Sequence, residues 1–225
     1  MKIDYNWSVA KEGYLPILTS FFICWLGTAF FGLSIISLIL FFLFLVVLYF
    51  FRDPERILPN TDGIISPADG KIVLADTSIE SNFTNEEMNR VCIFLSIVDC
   101  HINRAPVNCA VNKTIYNEGK FHLANSVKAI ENERLCIHLK TDSDEDIVLI
   151  LYAGFIARRI VSYVAVNQIL KRGERIGIIK FGSRVDIYVP KHFKTDLKKG
   201  DHVVAGETIL SVSYTHLTLP TIYSV

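Results

Sequence analysis

The sequence predicts a mostly β (α+β) domain carried behind an N-terminal membrane helical hairpin, and three observations predict it. No charged residue occurs from Gly13 to Phe51. After Arg52 the chain breaks into short runs rich in β-branched residues and punctuated by Gly, Pro, Asn and Asp. Two of its Gly-containing turn segments echo each other.

The apolar run FFICWLGTAFFGLSIISLILFFLFLVVLYFF is far too long for a buried strand or a core helix. One membrane span needs roughly 20 apolar residues, and the charge-free stretch is nearly twice that. Two short helices fit it better than one, with Gly27, Thr28 and Gly32 marking the turn. A cleaved signal peptide fits worse, because no small-residue cleavage site follows and Phe51 runs straight into RDPERILP. Lys2 and Lys11 precede the hairpin and Arg52 and Arg56 follow it. Both ends are therefore expected on the cytoplasmic side of an inner membrane.

The runs GIISP, GKIVLAD, RVCIFLSI, APVNCAVNKTIY, RLCIHLKT, DIVLILYAG and RVDIYVP read as strands. VSYVAVNQILKRG suits a strand or a short helix, and NEEMNR reads as one helical turn or a loop. ISPADGKIV and KKGDHVVAGETIL each place a charged Gly turn between short strands that would pair antiparallel. That pattern is similar to half-motifs of barrel-sandwich domains, so the β-rich domain is expected to be barrel-sandwich-like. Lys71 lies inside a strand-like run rather than at a hairpin tip, which disfavours a swinging-arm carrier. The expected boundaries are 1–51 for the N-terminal segment and hairpin, 52–211 for the β-rich domain and 212–225 for a tail.

Lysine plus arginine and aspartate plus glutamate balance at 23 each, and no basic patch with interleaved aromatics occurs, so nucleic acid is not an expected partner. The five cysteines show no C-x-x-C spacing; they read as reduced thiols, and no metal is expected.

Within KFGSRVDIYVP, Gly182 and Ser183 form a Gly-Ser bond beside a strand. Glycine lacks Cβ, so its carbonyl can be approached closely, and the next hydroxyl can attack it to give an ester. β-Elimination, tautomerisation and hydrolysis then leave a pyruvoyl group at position 183, with the chain cut after Gly182. Such a carbonyl condenses with a substrate amine and takes up the electrons released when CO₂ leaves. A Gly-Ser pair is equally at home in a plain β-turn, so the dipeptide alone leaves both readings open.

The surrounding blocks narrow them. FFRDPER, SPADGKI, FLSIVDCHINRAPVN, NERLCIHL, GFIARRI and RGERIGIIKFGSRVDIYVP, in this order and spacing, resemble the short membrane-anchored bacterial form of phosphatidylserine decarboxylase over nearly the whole chain to Leu210. The resemblance implies self-cleavage between Gly182 and Ser183. It implies a membrane-bound β chain to 182, an α chain from 183 that begins with the covalent pyruvoyl group, and conversion of phosphatidylserine in the bilayer to phosphatidylethanolamine and CO₂. The two chains would stay partners, and a homodimer is kept open.

The resemblance also implies roles for particular residues. Asp69, in PADG, matches the acidic residue of self-cleavage, and His101, in DCHINRAP, matches a histidine of decarboxylation. Longer relatives carry a second histidine where this chain has Arg104, so an Asp-His-Ser relay cannot be carried over whole. Asp69 could act on Ser183 directly or through His101; alternatively Arg104 could stabilise an oxyanion or grip a carboxylate or phosphate. His122 is a more distant candidate base. Arg158 and Arg159, after an apolar run, suit a lipid phosphate or a solvated strand end.

Two rival functions stay open: the same decarboxylation on an archaetidylserine-type lipid, and a non-enzymatic membrane-anchored barrel-sandwich adaptor in which the chain stays whole. The tail beginning VSYTHLTLPT resembles a sequencing-library adapter read in frame, so the natural protein is expected to diverge near Ser211. No chemistry is assigned to Tyr214, His216 or Pro220. Sequencing the source locus across the Ser211 codon tests this, and restoring the native end should rescue any cleavage lost with it.

Overall fold

The computed structural model describes residues 7–120, 122, 131–154, 159–180 and 182–213. The hairpin is real, but its turn is set by Gly32 alone among the three expected residues. Strand β1 (Trp7–Val9) leads through a 3-10 turn into α1 (Tyr14–Phe31) and α2 (Ile35–Phe50), and β2 (Arg52–Pro54) returns antiparallel on β1 with Ser8 opposite Asp53. Gly32 takes φ +61°, a conformation that costs other residues. Ser37 Oγ donates to its carbonyl at 2.6 Å. Thr28 lies inside α1, its hydroxyl donating to Cys24 O. Gly27 lies there too, where a Cβ would sit 2.4 Å from Leu40 Cδ1, so it lets the helices approach. From Lys11 to Phe31 the chain is long and apolar enough to cross a membrane, while α2 is shorter.

The rest is built from strands: β3 (Ile64–Ile65), β4 (Gly70–Ile79), β5 (Glu87–Leu95), β6 (Ile102–Arg104), β7 (Cys109–Asn117), β8 (Arg134–Thr141) and β9 (Asp146–Tyr152). They are followed by β10 (Ile160–Ser162), β11 (Ile169–Leu170), β12 (Arg175–Ile179), β13 (Ser183–Val189), β14 (Phe193–Lys194), β15 (His202–Val203) and β16 (Ile209–Ser213). The main sheet runs β11-β7-β8-β9-β13-β5-β4-β15, every pair antiparallel, and curls into a half-barrel. Three-stranded sheets β10-β12-β6 and β14-β16-β3 accompany it.

β9 shows why the central strands read as continuous apolar runs. Ile147, Leu149 and Leu151 join the main core, while Val148, Ile150 and Tyr152 join a second cluster with Met88, Cys136 and Tyr188. Alternate side chains point to opposite faces, and here both faces are covered.

Two local expectations need correction, and one open reading resolves to its strand alternative. NEEMNR opens no helical turn: Glu87 starts β5, opposite Ile79 of β4, and the β-sheet partner overrides a weak local preference. VSYVAVNQILKRG divides into the end of β10, a turn and β11, without a helix. The two echoing Gly segments pair with each other rather than each folding on itself: Lys71 lies opposite His202 and Gly70 opposite Val203, and Ile65 opposite Ile209. The tail residues 214–225 lie outside the described residues; Val212 and Ser213 end β16 and pair with Lys194 and Phe193.

Candidate active site

Ser183 opens β13, the strand held between β5 and β9, with Leu95 as its cross-strand partner on β5. It is fully buried, and among the described residues its Oγ finds no hydrogen-bond partner. A buried hydroxyl left without a partner costs stability, and a catalytic role is one of the explanations such a group admits. Gly182 precedes it with φ +59° and open space where a Cβ would point. The glycine is thus required for its backbone angle, not for lack of room.

His101 holds the residue before Ser183. The Gly182 N–H donates to His101 Nε2 at 3.3 Å, and His101 Nδ1 lies 2.9 Å from Asp99 O. A carbonyl can only accept, so the proton sits on Nδ1 and the Nε2 lone pair accepts the Gly182 N–H, on the amide just before the Gly182–Ser183 bond. Burial lowers the pKa of this ring to about 4, so it stays a neutral base at physiological pH. The ring of Phe50, the last residue of α2, packs on the imidazole at 4.4 Å between centroids. The foot of the hairpin is therefore part of the wall of the site.

Asp69 stands across β5 from Ser183. It immediately precedes β4, whose Lys71 faces Phe94, while Ser183 faces the neighbouring Leu95 from the other side. Two strand spacings make that about 10 Å between backbones. The carboxylate is already engaged: Oδ2 accepts from Arg56 Nη2 at 2.7 Å and Oδ1 from the Ala205 N–H at 2.7 Å. Gly70 lets this turn form, since a Cβ there would lie 2.2 Å from Phe94 O.

Arg104 is not drawn to Ser183. It lies three residues beyond His101 on β6, buried, and donates to Gly173 O, Pro54 O and Asp53 Oδ1. Asp53 also takes Arg175 Nε at 2.5 Å, so Arg104 and Arg175 together fasten the hairpin exit to β6 and β12. Arg159 is exposed just before β10, its carbonyl accepting from Lys180 N–H; Arg158 lies outside the described residues. His122 comes to the Ser183 end of the sheet through Asn132, which binds its backbone and Ala153 O. Among the described residues no group of His, Cys, Asp and Glu could hold a metal ion.

Three participants have no clear mark in the sequence. Arg56 holds Asp69 from a segment that reads only as a membrane exit. Asn103, fully buried, donates to His101 O and keeps Oδ1 unpartnered; its place beside His101 in DCHINRAP was the one available signal. Phe50 reads as membrane helix, and nothing in the run separates it from its neighbours.

A family model described as phosphatidylserine decarboxylase matches residues 43–211. The chain is 44% identical over 178 residues to a phosphatidylserine decarboxylase proenzyme of Desulfotalea psychrophila, covering 76% of this chain and 83% of that protein. It is 38% identical over 209 residues to the corresponding proenzyme of Geotalea uraniireducens (92% and 97% covered), and 42% identical over 211 residues to that of a Wolbachia of Brugia malayi (91% and 90% covered).

Proposed function

The chain belongs to the phosphatidylserine decarboxylase family, and from that premise we propose that it is a proenzyme that cuts itself between Gly182 and Ser183 and then decarboxylates phosphatidylserine to phosphatidylethanolamine. The observation that carries this reading is the buried, unpartnered Ser183 hydroxyl beside a Gly182 whose N–H is held by a neutral His101.

In the first step Ser183 Oγ bonds to the Gly182 carbonyl carbon as the Gly182–Ser183 C–N bond breaks, and the hydroxyl proton passes to the released amine. His101, neutral and hydrogen-bonded to the Gly182 N–H on the amide before this bond, is the base we assign to that proton, its Nε2 exchanging the N–H for the hydroxyl. Loss of the α proton of residue 183 then expels Gly182 as a carboxylate, and hydrolysis with loss of ammonia leaves the pyruvoyl group at the new N-terminus. The position fits such a group: residue 183 is small, fully buried and, among the described residues, free of competing hydrogen bonds. When formed, a pyruvoyl carbonyl supplies an electron sink for a carboxylate leaving from an amino-acid headgroup.

The chain's own residues do the rest. His101 is suited to return a proton to the headgroup α-carbon after CO₂ departs. Asp69, tied to Arg56 and Ala205, fixes the turn that flanks β5 and acts on self-cleavage from there. Arg104 is a positioning residue that holds the hairpin exit against β6. Arg158 and Arg159 are assigned to the lipid phosphate. The hairpin seats the chain in the inner membrane with the β-rich domain on the cytoplasmic side, as Lys11 and Arg52 at its two feet favour, so substrate and product stay in the lipid phase.

The test is the intact mass of the detergent-solubilised chain beside S183A. Two fragments in the parent, one beginning at position 183 with a pyruvoyl mass, and one chain in S183A are expected. A single unmodified chain in both would overturn the self-cleavage.

A further inference from the structure

Between Leu95 and His101 the chain turns at Ser96–Asp99, with Ile97 and Val98 at its tip. The turn is pinned from within: Asp99 Oδ2 accepts the Ser96 N–H at 2.7 Å and its hydroxyl at 2.6 Å, and the Asp99 N–H donates to Ser96 O. Its tip is nevertheless apolar and held outward, Ile97 at 47% and Val98 at 66% exposure. Gly, Asn, Asp and Ser dominate such positions, whereas Ile97 and Val98 gain by leaving water.

The tip is fastened to the foot of the hairpin. Arg52 Nη2 donates to Val98 O at 2.7 Å and Nη1 to Tyr49 O at 3.0 Å, with the guanidinium 3.8 Å above the Tyr49 ring. A tyrosine stacked under an arginine at a helix end is the composition of a membrane interface. On its inner side the turn reaches the site, since Asp99 O holds His101 Nδ1 and Cys100 Sγ donates to Arg52 O.

We propose that Ile97 and Val98 are a second membrane contact, entering the lipid surface beside the end of α2 and holding His101 at headgroup depth. The partner is the bilayer itself. The inference rests on the membrane seating of the hairpin given under Proposed function and adds a contact that the hairpin does not supply.

The experiment uses the full chain with Trp7→Phe and Trp25→Phe, reconstituted in phosphatidylcholine–phosphatidylglycerol vesicles with or without brominated acyl chains. V98W is compared with I79W, because Ile79 is 64% exposed at the opposite end of β4, about 30 Å from Gly70. V98W should lose about half of its emission to brominated lipid, as expected for an indole 5–10 Å into the interface, and I79W should be unaffected. Flotation of the same samples reads the hairpin separately. A chain that floats with V98W unquenched, or with both positions quenched alike, overturns the tip contact and leaves the hairpin standing. A chain that does not float overturns both.

Discussion

The Gly182 N–H donates to His101 Nε2 across 3.3 Å, so one imidazole restrains the residue whose carbonyl Ser183 follows. Burial sets when that imidazole works. With its pKa lowered to about 4, His101 stays neutral well below the ordinary histidine range. Self-cleavage followed by gel against pH should stay level down to about pH 5 and fall only toward 4. A break near 6.5 instead would remove His101 as the base. Stability follows the same group: the unfolded chain takes up this proton below about 6.5 and the folded chain only near 4, so the contribution of neutral His101 is complete above 6.5 and is lost as pH falls through that window.

Replacing the ring should slow the cut without unfolding the domain. H101Q retains volume and a carbonyl acceptor for Gly182 but cannot act as the base, and cleavage should fall by about 10²–10⁴-fold with the β-sheet circular dichroism retained. Cleavage at the parental rate in H101Q would leave His101 only a packing role.

Asp69 and Arg56 separate chemistry from scaffolding. Each side chain is nearly buried, and removing either partner of a buried pair costs about 3–5 kcal/mol. D69N and R56A should therefore both lower the melting temperature. If Asp69 also acts in self-cleavage, D69N alone should stall the cut at temperatures where both variants remain folded. Equal cleavage by the two would confine Asp69 to holding the turn.

Two glycines next to the site should respond differently to the same change. G182A meets no atom within 4 Å and is strained only by its φ of +59°, a cost of about 1–2 kcal/mol. It should fold and cleave slowly. G70A drives a Cβ to 2.2 Å from Phe94 O, so β4 must leave β5 and the protein should be lost from the soluble detergent fraction. Expression and intact mass of the pair check both outcomes.

How far the sequence foretold this depended on whether a residue's partner was local. A charge-free run needs no partner to be read, so the hairpin was legible, yet its turn was not, because whether Gly27 bends the chain or admits Leu40 is decided by the facing helix. NEEMNR joined β5 because Ile79 waits opposite Glu87, which no local window contains. The Gly182–Ser183 bond and His101 were visible as motifs. Arg104 drew attention as a substitution in a motif, but its partners Asp53, Pro54 and Gly173 lie 50 or more residues away in the chain, and they commit it to the hairpin exit. Arg56 and Phe50 look like flanks of the membrane segment until the fold lays them on Asp69 and His101.

The bond proposed for scission lies where an interior strand of the main sheet begins. The described residues after it are woven into the body: β13 lies between β5 and β9, β15 edges β4, and β16 pairs with β3. A cut there frees a chain end but no piece of the molecule. The short fragment would work as a rivet, separable only by denaturation, and because its seat forms while the chain is continuous, two fragments synthesised apart would have no easy route to the same assembly.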